Sequence, residues 1–279
     1  MRIALINENS QAGKNAMIEA SLKKVVEPMG HTVVNYGMYS AEDACQLTYV
    51  KCGLLASILL TSGAADYVVT GCGTGEGAML ACNSFPGVLC GHIVDPSDGY
   101  MFAQINDGNC VALPFAKGFG WGAELNLEMI FQQLFGFGHG NGYPKERVVP
   151  EQRNKKILDS VKAITYRPLI DILHDIDQDF LRETISSSLG IRAAGKGEAL
   201  YVFSLLYGIS AISDTASRAS VRCSSVTGES TALRYSIAPA IFMPAPRGLR
   251  LSPPCPRHLS LPGSFSPPPS PPLALTWQG

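Results

Sequence analysis

The sequence predicts an α/β fold built on a parallel sheet covered on both faces by helices. Two observations carry this. Short, continuously apolar runs alternate with segments whose apolar residues recur at helical spacing, and the runs are apolar throughout rather than at every second position. A strand that is apolar on both faces needs cover on both faces, which β-α-β connections supply.

In order along the chain, "RIALI" (2–6) reads as the first strand. Ile18, Leu22, Val25 and Met29 then mark one helix face up to Gly30. "HTVVNY" (31–36) is the second strand, and Leu47, Val50, Leu54 and Ile58 mark the next helix before Ser62 and Gly63. "DYVVTG" (66–71), "GVLCGHIV" (87–94) and "NCVALPF" (109–115) complete five strands, with helices over 77–83, 97–104 and 122–135. In such a sheet, ligands bind at the carboxyl ends of the strands beside a switch in strand order. The residues after the first, third and fifth strands therefore share one rim.

Composition narrows the function classes. The chain has 279 residues, 46% of them hydrophobic, enough for a sizeable core, and a formal net charge of −1. That charge argues against nucleic acid as a partner. No apolar run reaches the length of a membrane span, and the amino-terminal residues lack the form of a cleaved leader. The eight cysteines include no C-x-x-C pair, so neither a zinc knuckle nor a redox dithiol is expected. A reducing cytoplasm is the expected compartment, and Cys45, Cys52, Cys82, Cys90 and Cys110 read as small buried hydrophobes.

The stretch "GCGTGEG" (71–77) holds the chemistry. Its glycines allow positive φ and close approach to the backbone, and the following helix presents free N–H groups, so an anion is the natural guest. The spacing is not the dinucleotide fingerprint, and the lysine and hydroxyl residue of a phosphate-binding P-loop are missing. Cys72 lies beside those donors, where a base or nucleophile belongs, although a small buried hydrophobe is the other reading.

"GCGTGEGAMLACN" followed by "NDGNCVALPFAKGFGWGAELNLEMI" resembles the sugar-phosphate isomerase family that holds type B ribose-5-phosphate isomerase and the galactose-6-phosphate isomerase subunits. The resemblance runs to about Phe135 and includes an exchanged helix near 150–163. It implies a Rossmann-like αβα sandwich, a homodimer with shared active sites, and aldose-ketose isomerisation of a phosphorylated pentose or hexose with no cofactor or metal. It implies Cys72 as the base acting on the carbon beside the carbonyl. Thr74 and the amides of Gly73, Gly75 and Glu76, ahead of Gly77, would hold the enediolate oxygen. Asn106, with Asp107 and Asn109 of the N-D-x-N motif, and Arg147 would bind substrate, as would Glu8 and Asn9. The same N-D-x-N run is also an ordinary tight turn before a strand.

This chain departs from the ribose-phosphate pattern at several positions. Glu8-Asn9 stands where Asp-His is usual, Ile105 replaces the histidine before N-D-x-N, and Tyr143 falls where a second arginine is expected, with Lys145 and Arg153 nearby. Proton abstraction keeps its residues while ring opening loses both histidines. That leaves three outcomes: an open-chain or different sugar, a subunit needing a partner, or a binding protein without turnover. His92, at the end of the fourth strand, is a candidate to compensate for the missing histidines, but a histidine at a strand end reads first as structural.

By organisation, 1–145 is expected to form the isomerase-like domain, 146–180 a helical extension that packs a dimer, and 181–279 an atypical tail. The segment after Pro168 reads as one amphipathic helix to Phe180, and "LRETISSSLGIRAAGKG" loses that pattern. "ALYVFSLLYGISAI" (199–212) is apolar but short. Of the 19 prolines, 12 lie in the last 42 residues, so the tail is expected to be disordered or polyproline-like from about 238. The region beyond about 181 is expected to add nothing to catalysis.

Overall fold

A computed structural model describes residues 1–43 and 46–189. Cys45, the apolar segment 199–212 and the proline-rich stretch from 238 lie outside the described residues. Strands β1 (Arg2–Asn7), β2 (Thr32–Asn35), β3 (Tyr67–Cys72), β4 (Cys90–His92) and β5 (Cys110–Pro114) form one five-stranded sheet in the order β2-β1-β3-β5-β4. Every pairing is parallel. The helices are α1 (Asn15–Val26), α2 (Tyr49–Thr61), α3 (Glu76–Asn83), α4 (Pro96–Met101), α5 (Ala123–Phe135), α6 (Val148–Thr165), α7 (Leu169–Asp175) and α8 (Gln178–Leu189).

The alternation of side chains along each strand divides the core into two layers. Ile3, Leu5, Val69, Val111 and Leu113 face Ile18, Leu22, Ile130 and Phe131 of α1 and α5. Ala4, Ile6, Val68, Cys72 and Ala112 face Cys52, Leu55, Ala78 and Cys82 of α2 and α3. This explains the apolar runs: β3 is buried at all six positions. Burying one large aliphatic side chain contributes roughly 1.5–3 kcal/mol, so the two layers dominate the energetics.

Helix α2 departs from its expected single face. Lys51 through Leu59 are buried without a break, because the sheet and α3 cover one side while Leu169, Leu173 and Leu181 cover Leu54 and Ile58 on the other. A helix apolar all round is a covered helix. The segment after Pro168 is two helices rather than one, and α8 continues past Phe180 to Leu189. The fourth strand is three residues long instead of eight: Gly87, with a φ of +77°, lies in a turn, and only Cys90 to His92 pair with β5. No helix of the described residues is long and apolar enough to cross a membrane.

Candidate active site

The switch in strand order falls between β1 and β3, because β2 lies on one side of β1 and β3 on the other. Asn7 and Gly71 are register partners there, which sets Glu8 and Cys72 next to each other along neighbouring strands. In an open parallel sheet such a switch point at the carboxyl rim is where a ligand binds.

Cys72 closes β3 with its side chain on the α2-α3 face and 9% of its surface exposed. Its carbonyl accepts from the Phe115 amide at 2.8 Å, and the Gly73 carbonyl accepts from Ala116 and Lys117 at 2.9 and 3.1 Å. The turn is thereby tied to the end of β5 through carbonyls. Its own amides at Gly73, Thr74 and Gly75 carry no hydrogen bond among the described residues. The Glu76 amide differs, being held by Thr74 Oγ1 at 3.4 Å.

Gly75 caps α3 in the left-handed region, with φ +81°. A Cβ there would lie 2.8 Å from the His92 ring and 2.9 Å from the Leu113 carbonyl carbon, so conformation and space both demand glycine. His92 Nε2 sits 2.8 Å from the Thr74 carbonyl oxygen, which fits its reading as a structural residue. Gly77 faces the Tyr49 ring, 3.4 Å from where its Cβ would stand.

On the β1 side, the Glu8 carboxylate is buried and accepts from the Ser10 amide at 2.9 Å and from the Ser10 hydroxyl, capping a short 3-10 turn over Asn9–Lys14. The Asn9 amide donates to Leu47 O at 2.8 Å. Three rim residues carry no motif and escaped the sequence reading. Gln11 Nε2 comes within 3.8 Å of a Cβ built on Gly73. Lys14 Nζ donates to Gln11 Oε1 at 2.7 Å and to the Phe115 carbonyl, and burial lowers its pKa. Asn7 donates to Gln11 O at 2.7 Å while its buried Oδ1 has no partner.

The N-D-x-N residues lie elsewhere. The Asn109 carbonyl accepts from Val68 N, at the start of β3, and its side chain bonds the Leu89 amide and the Gly87 carbonyl, each at 2.8 Å. Val68 and Cys72 are four residues apart on a strand, about 13 Å. Asn106 is exposed at the end of the helical turn Phe102–Asn106, and Asp107 takes a left-handed φ of 49°. Arg147 belongs to this amino-terminal end as well: Gly142 N donates to Gln104 O at 3.0 Å, and Gln152 Nε2 lies 3.4 Å from Asp107 Oδ2. Arg147 is exposed and pairs with Glu151 at 3.4 Å. Within one chain, then, the expected site residues form two groups. Glu8, Asn9 and 72–77 occupy the carboxyl rim, and Asn106, Asp107, Asn109 and Arg147 the opposite edge.

Beside this second group, α6 presents an apolar strip to solvent. Val149, Ile157, Val161 and Ile164 are 75%, 55%, 47% and 85% exposed. They line a groove of about 690 Å³ with Arg153 and Lys156.

A sequence profile described as ribose/galactose isomerase matches residues 3–133. Among solved structures, a 4-deoxy-L-threo-5-hexosulose-uronate ketol-isomerase complexed with a tartrate is 57% identical, with a TM-score of 0.69 over 75% of this chain and all of that one. The ribose-5-phosphate isomerase of Vibrio parahaemolyticus is 43% identical, with a TM-score of 0.66 over 78% of this chain and 99% of its own. With the parallel sheet and the glycine turn at its switch point, these similarities establish that the chain is a sugar isomerase of the ribose/galactose isomerase family.

Proposed function

We propose that the protein is a ketol-isomerase acting through an enediolate, with Cys72 as base, on an open-chain acidic sugar of the hexosulose-uronate class. In this reading the Cys72 thiolate removes the proton from the hydroxyl-bearing carbon beside the carbonyl. The C–H electrons form the C=C bond of the enediolate, and the carbonyl oxygen takes the negative charge. The unspent amides of Gly73, Thr74 and Gly75 face that developing charge, a preorganised arrangement that stabilises it without reorganisation. Returning the thiol proton to the neighbouring carbon, with one hydroxyl proton moving between the two oxygens, completes the isomerisation.

The observation that carries the substrate class is the joint loss of two histidines at Asn9 and Ile105. A 5-ulose that lacks the 4-hydroxyl carries a ketone at carbon 5 and no hydroxyl at carbon 5 or carbon 4 with which to close the usual six- or five-membered ring. An enzyme for such a substrate needs no ring-opening acid or base. The 57% identity to an isomerase named for that substrate supports the same class. A phosphorylated pentose or hexose is the second reading, favoured by the 43% identity to a ribose-5-phosphate isomerase and by Arg147.

The separation of the two residue groups supports a homodimer in which Asn106 and Arg147 of one protomer complete the site around Cys72 of the other. The apolar strip of α6 supplies a surface for that exchange. Five free thiols among the described residues suit a reducing cytoplasm.

The test is solvent deuterium exchange followed by NMR, with the 4-deoxy-5-ulosonate and a panel of pentose and hexose phosphates. Exchange beside the carbonyl of the uronate, lost in Cys72→Ala while binding survives, is the expected result. Exchange confined to phosphates would remove the uronate class, exchange retained in Cys72→Ala would remove the base, and no exchange with any sugar would leave a binding protein.

A further inference from the structure

Three cysteines far apart in the sequence meet inside the protein, away from the rim. Cys82 on α3, Cys90 on β4 and Cys110 on β5 hold their sulfur atoms within 4.8 Å of one another. Cys82 and Cys110 are fully buried and Cys90 is 6% exposed.

Two rigid links fix the trio. Cys90 and Cys110 are register partners on neighbouring strands, so their side chains leave the same face of the sheet. Asn83, the residue after Cys82, clamps the backbone of Cys90: its Nδ2 donates to Cys90 O at 2.8 Å and its Oδ1 accepts from Cys90 N at 3.0 Å. Helix α3 is therefore locked to β4, and β4 to β5, and the donors are gathered before any ligand arrives. A cation stands at the edge of the group. Lys162 of α6 donates to the carbonyl of Val88, two residues before Cys90, and lies 5.3 Å from the centre of the Tyr166 ring. Tyr166 in turn donates to the Asn83 carbonyl.

The donor set selects the ligand. Thiolates favour soft ions. A structural zinc site requires four ligands, whereas no imidazole or carboxylate joins the three sulfurs among the described residues. Charge decides the rest, because a net charge in an apolar interior is costly. Three thiolates, one divalent ion and the Lys162 ammonium sum to zero. We propose that Cys82, Cys90 and Cys110 form a three-coordinate thiolate site for a soft divalent metal ion of the cadmium and mercury type, with Lys162 as counter-charge. Binding makes three metal–sulfur bonds and releases the three thiol protons to solvent, with no change of oxidation state. Affinity should consequently rise with pH.

The site stands apart from Cys72, and its test does not use activity. Reduced, metal-free full-length protein is titrated with Cd(II), followed by sulfur-to-cadmium charge-transfer absorbance, and the one-to-one complex is examined by X-ray absorption. Three sulfur neighbours are expected, with affinity falling about 100-fold or more in Cys110→Ala and unchanged in Cys72→Ala. Fewer than three sulfurs in the wild type, or undiminished affinity in Cys110→Ala, would overturn the site. Should Cys110→Ala not fold, Cys90→Ala on the edge strand takes its place, and the sulfur count needs no variant. Lys162→Met should weaken binding about 10-fold; no change would remove Lys162 as counter-charge.

Discussion

The His92 ring, at the end of β4, meets the carbonyl of Thr74, Nε2 to O at 2.8 Å, and the same ring occupies the space a side chain at Gly75 would need. A residue of the fourth strand thus sets the shape of the turn after the third. Gly75→Ala meets two penalties, a left-handed φ costing roughly 1–2 kcal/mol and a collision with the ring. Because the turn must move, its amides leave the oxyanion position proposed for them, and kcat should fall by about 100-fold or more with the fold intact by circular dichroism. His92→Phe keeps the bulk and loses the hydrogen bond. It should lower kcat more than it raises KM, and a change in KM alone would show that His92 positions substrate instead of the turn.

The two groups of site residues lie at opposite ends of β3, with Val68 bonded to Asn109 at one end and Cys72 at the other. If each site joins one group from each protomer, two inactive variants complement each other. Cys72→Ala and Asn106→Ala should each be inactive alone. After unfolding and refolding together, random pairing gives hybrid dimers with one intact site of two, so about a quarter of wild-type activity should return. Absence of any recovery, with hybrids demonstrated by mass spectrometry, would place the whole site within one chain.

The apolar strip of α6 makes a companion prediction. Val149 and Ile164 are 75% and 85% exposed at its two ends, with Ile157 and Val161 between them. A charge in a buried dimer contact is strongly unfavourable, so Ile157→Glu should shift sedimentation from dimer to monomer at micromolar concentration and abolish activity with it. An unaltered dimer would assign the strip to another contact.

The regular elements were legible because burial on both faces of a parallel sheet writes a simple pattern. All five strands and the helices α1 to α3 and α5 follow the apolar runs and the helical spacing to within a few residues. Features that depend on three-dimensional neighbours were not legible. Val50 fits a helical face in sequence but is 38% exposed, while Lys51 beside it is buried, because its ammonium finds Glu183 of α8 at 2.8 Å. Gln11 and Lys14 reach the rim through a turn without a motif. The three sulfurs come from segments with no metal-binding spacing, and only the register of β4 on β5 and the Asn83 clamp bring them together. In contrast, the glycine turn declared itself, since its unusual φ at Gly75 restricts that position to one residue type.

Stability should fall in acid through His139. Burial holds its imidazole below the ordinary pKa of 6.5, reinforced by His31 and opposed by Asp107, and His31 is itself lowered by burial and by the terminal ammonium. A folded-state pKa below the unfolded value means that the unfolded chain binds more protons as pH drops through the ordinary value. The contribution is complete above that value and is lost below it. His139→Phe keeps ring contacts with Tyr67 and Phe135, 5.4 and 6.3 Å between centroids, and gives up no hydrogen bond through Nε2. Between about pH 7.5 and about pH 5.5 its Tm should therefore decline less than that of the wild type. An equal or steeper decline would show that another group governs the acid limb.

Removal of residues from 181 onward tests the role of α8. The sequence pattern fades after Phe180, yet Leu181 and Thr184 are 4% and 0% exposed, and Leu181 packs with Leu54 and Ile58 of α2. Glu183 reaches Lys51, whose ammonium also donates to Gln46 O at 2.8 Å. Truncation strips cover from α2, which is buried from Lys51 to Leu59, and loss of Leu181 alone removes roughly 1.5–3 kcal/mol. Because α2 begins with Tyr49 against Gly77, loosening it also loosens the start of α3. A chain ending at Phe180 should lose several degrees of Tm and part of its activity, whereas one ending at residue 189 should keep the loss small. Equal stability of the two chains would show that α8 is dispensable, and equal loss would move the stabilising contact beyond residue 189.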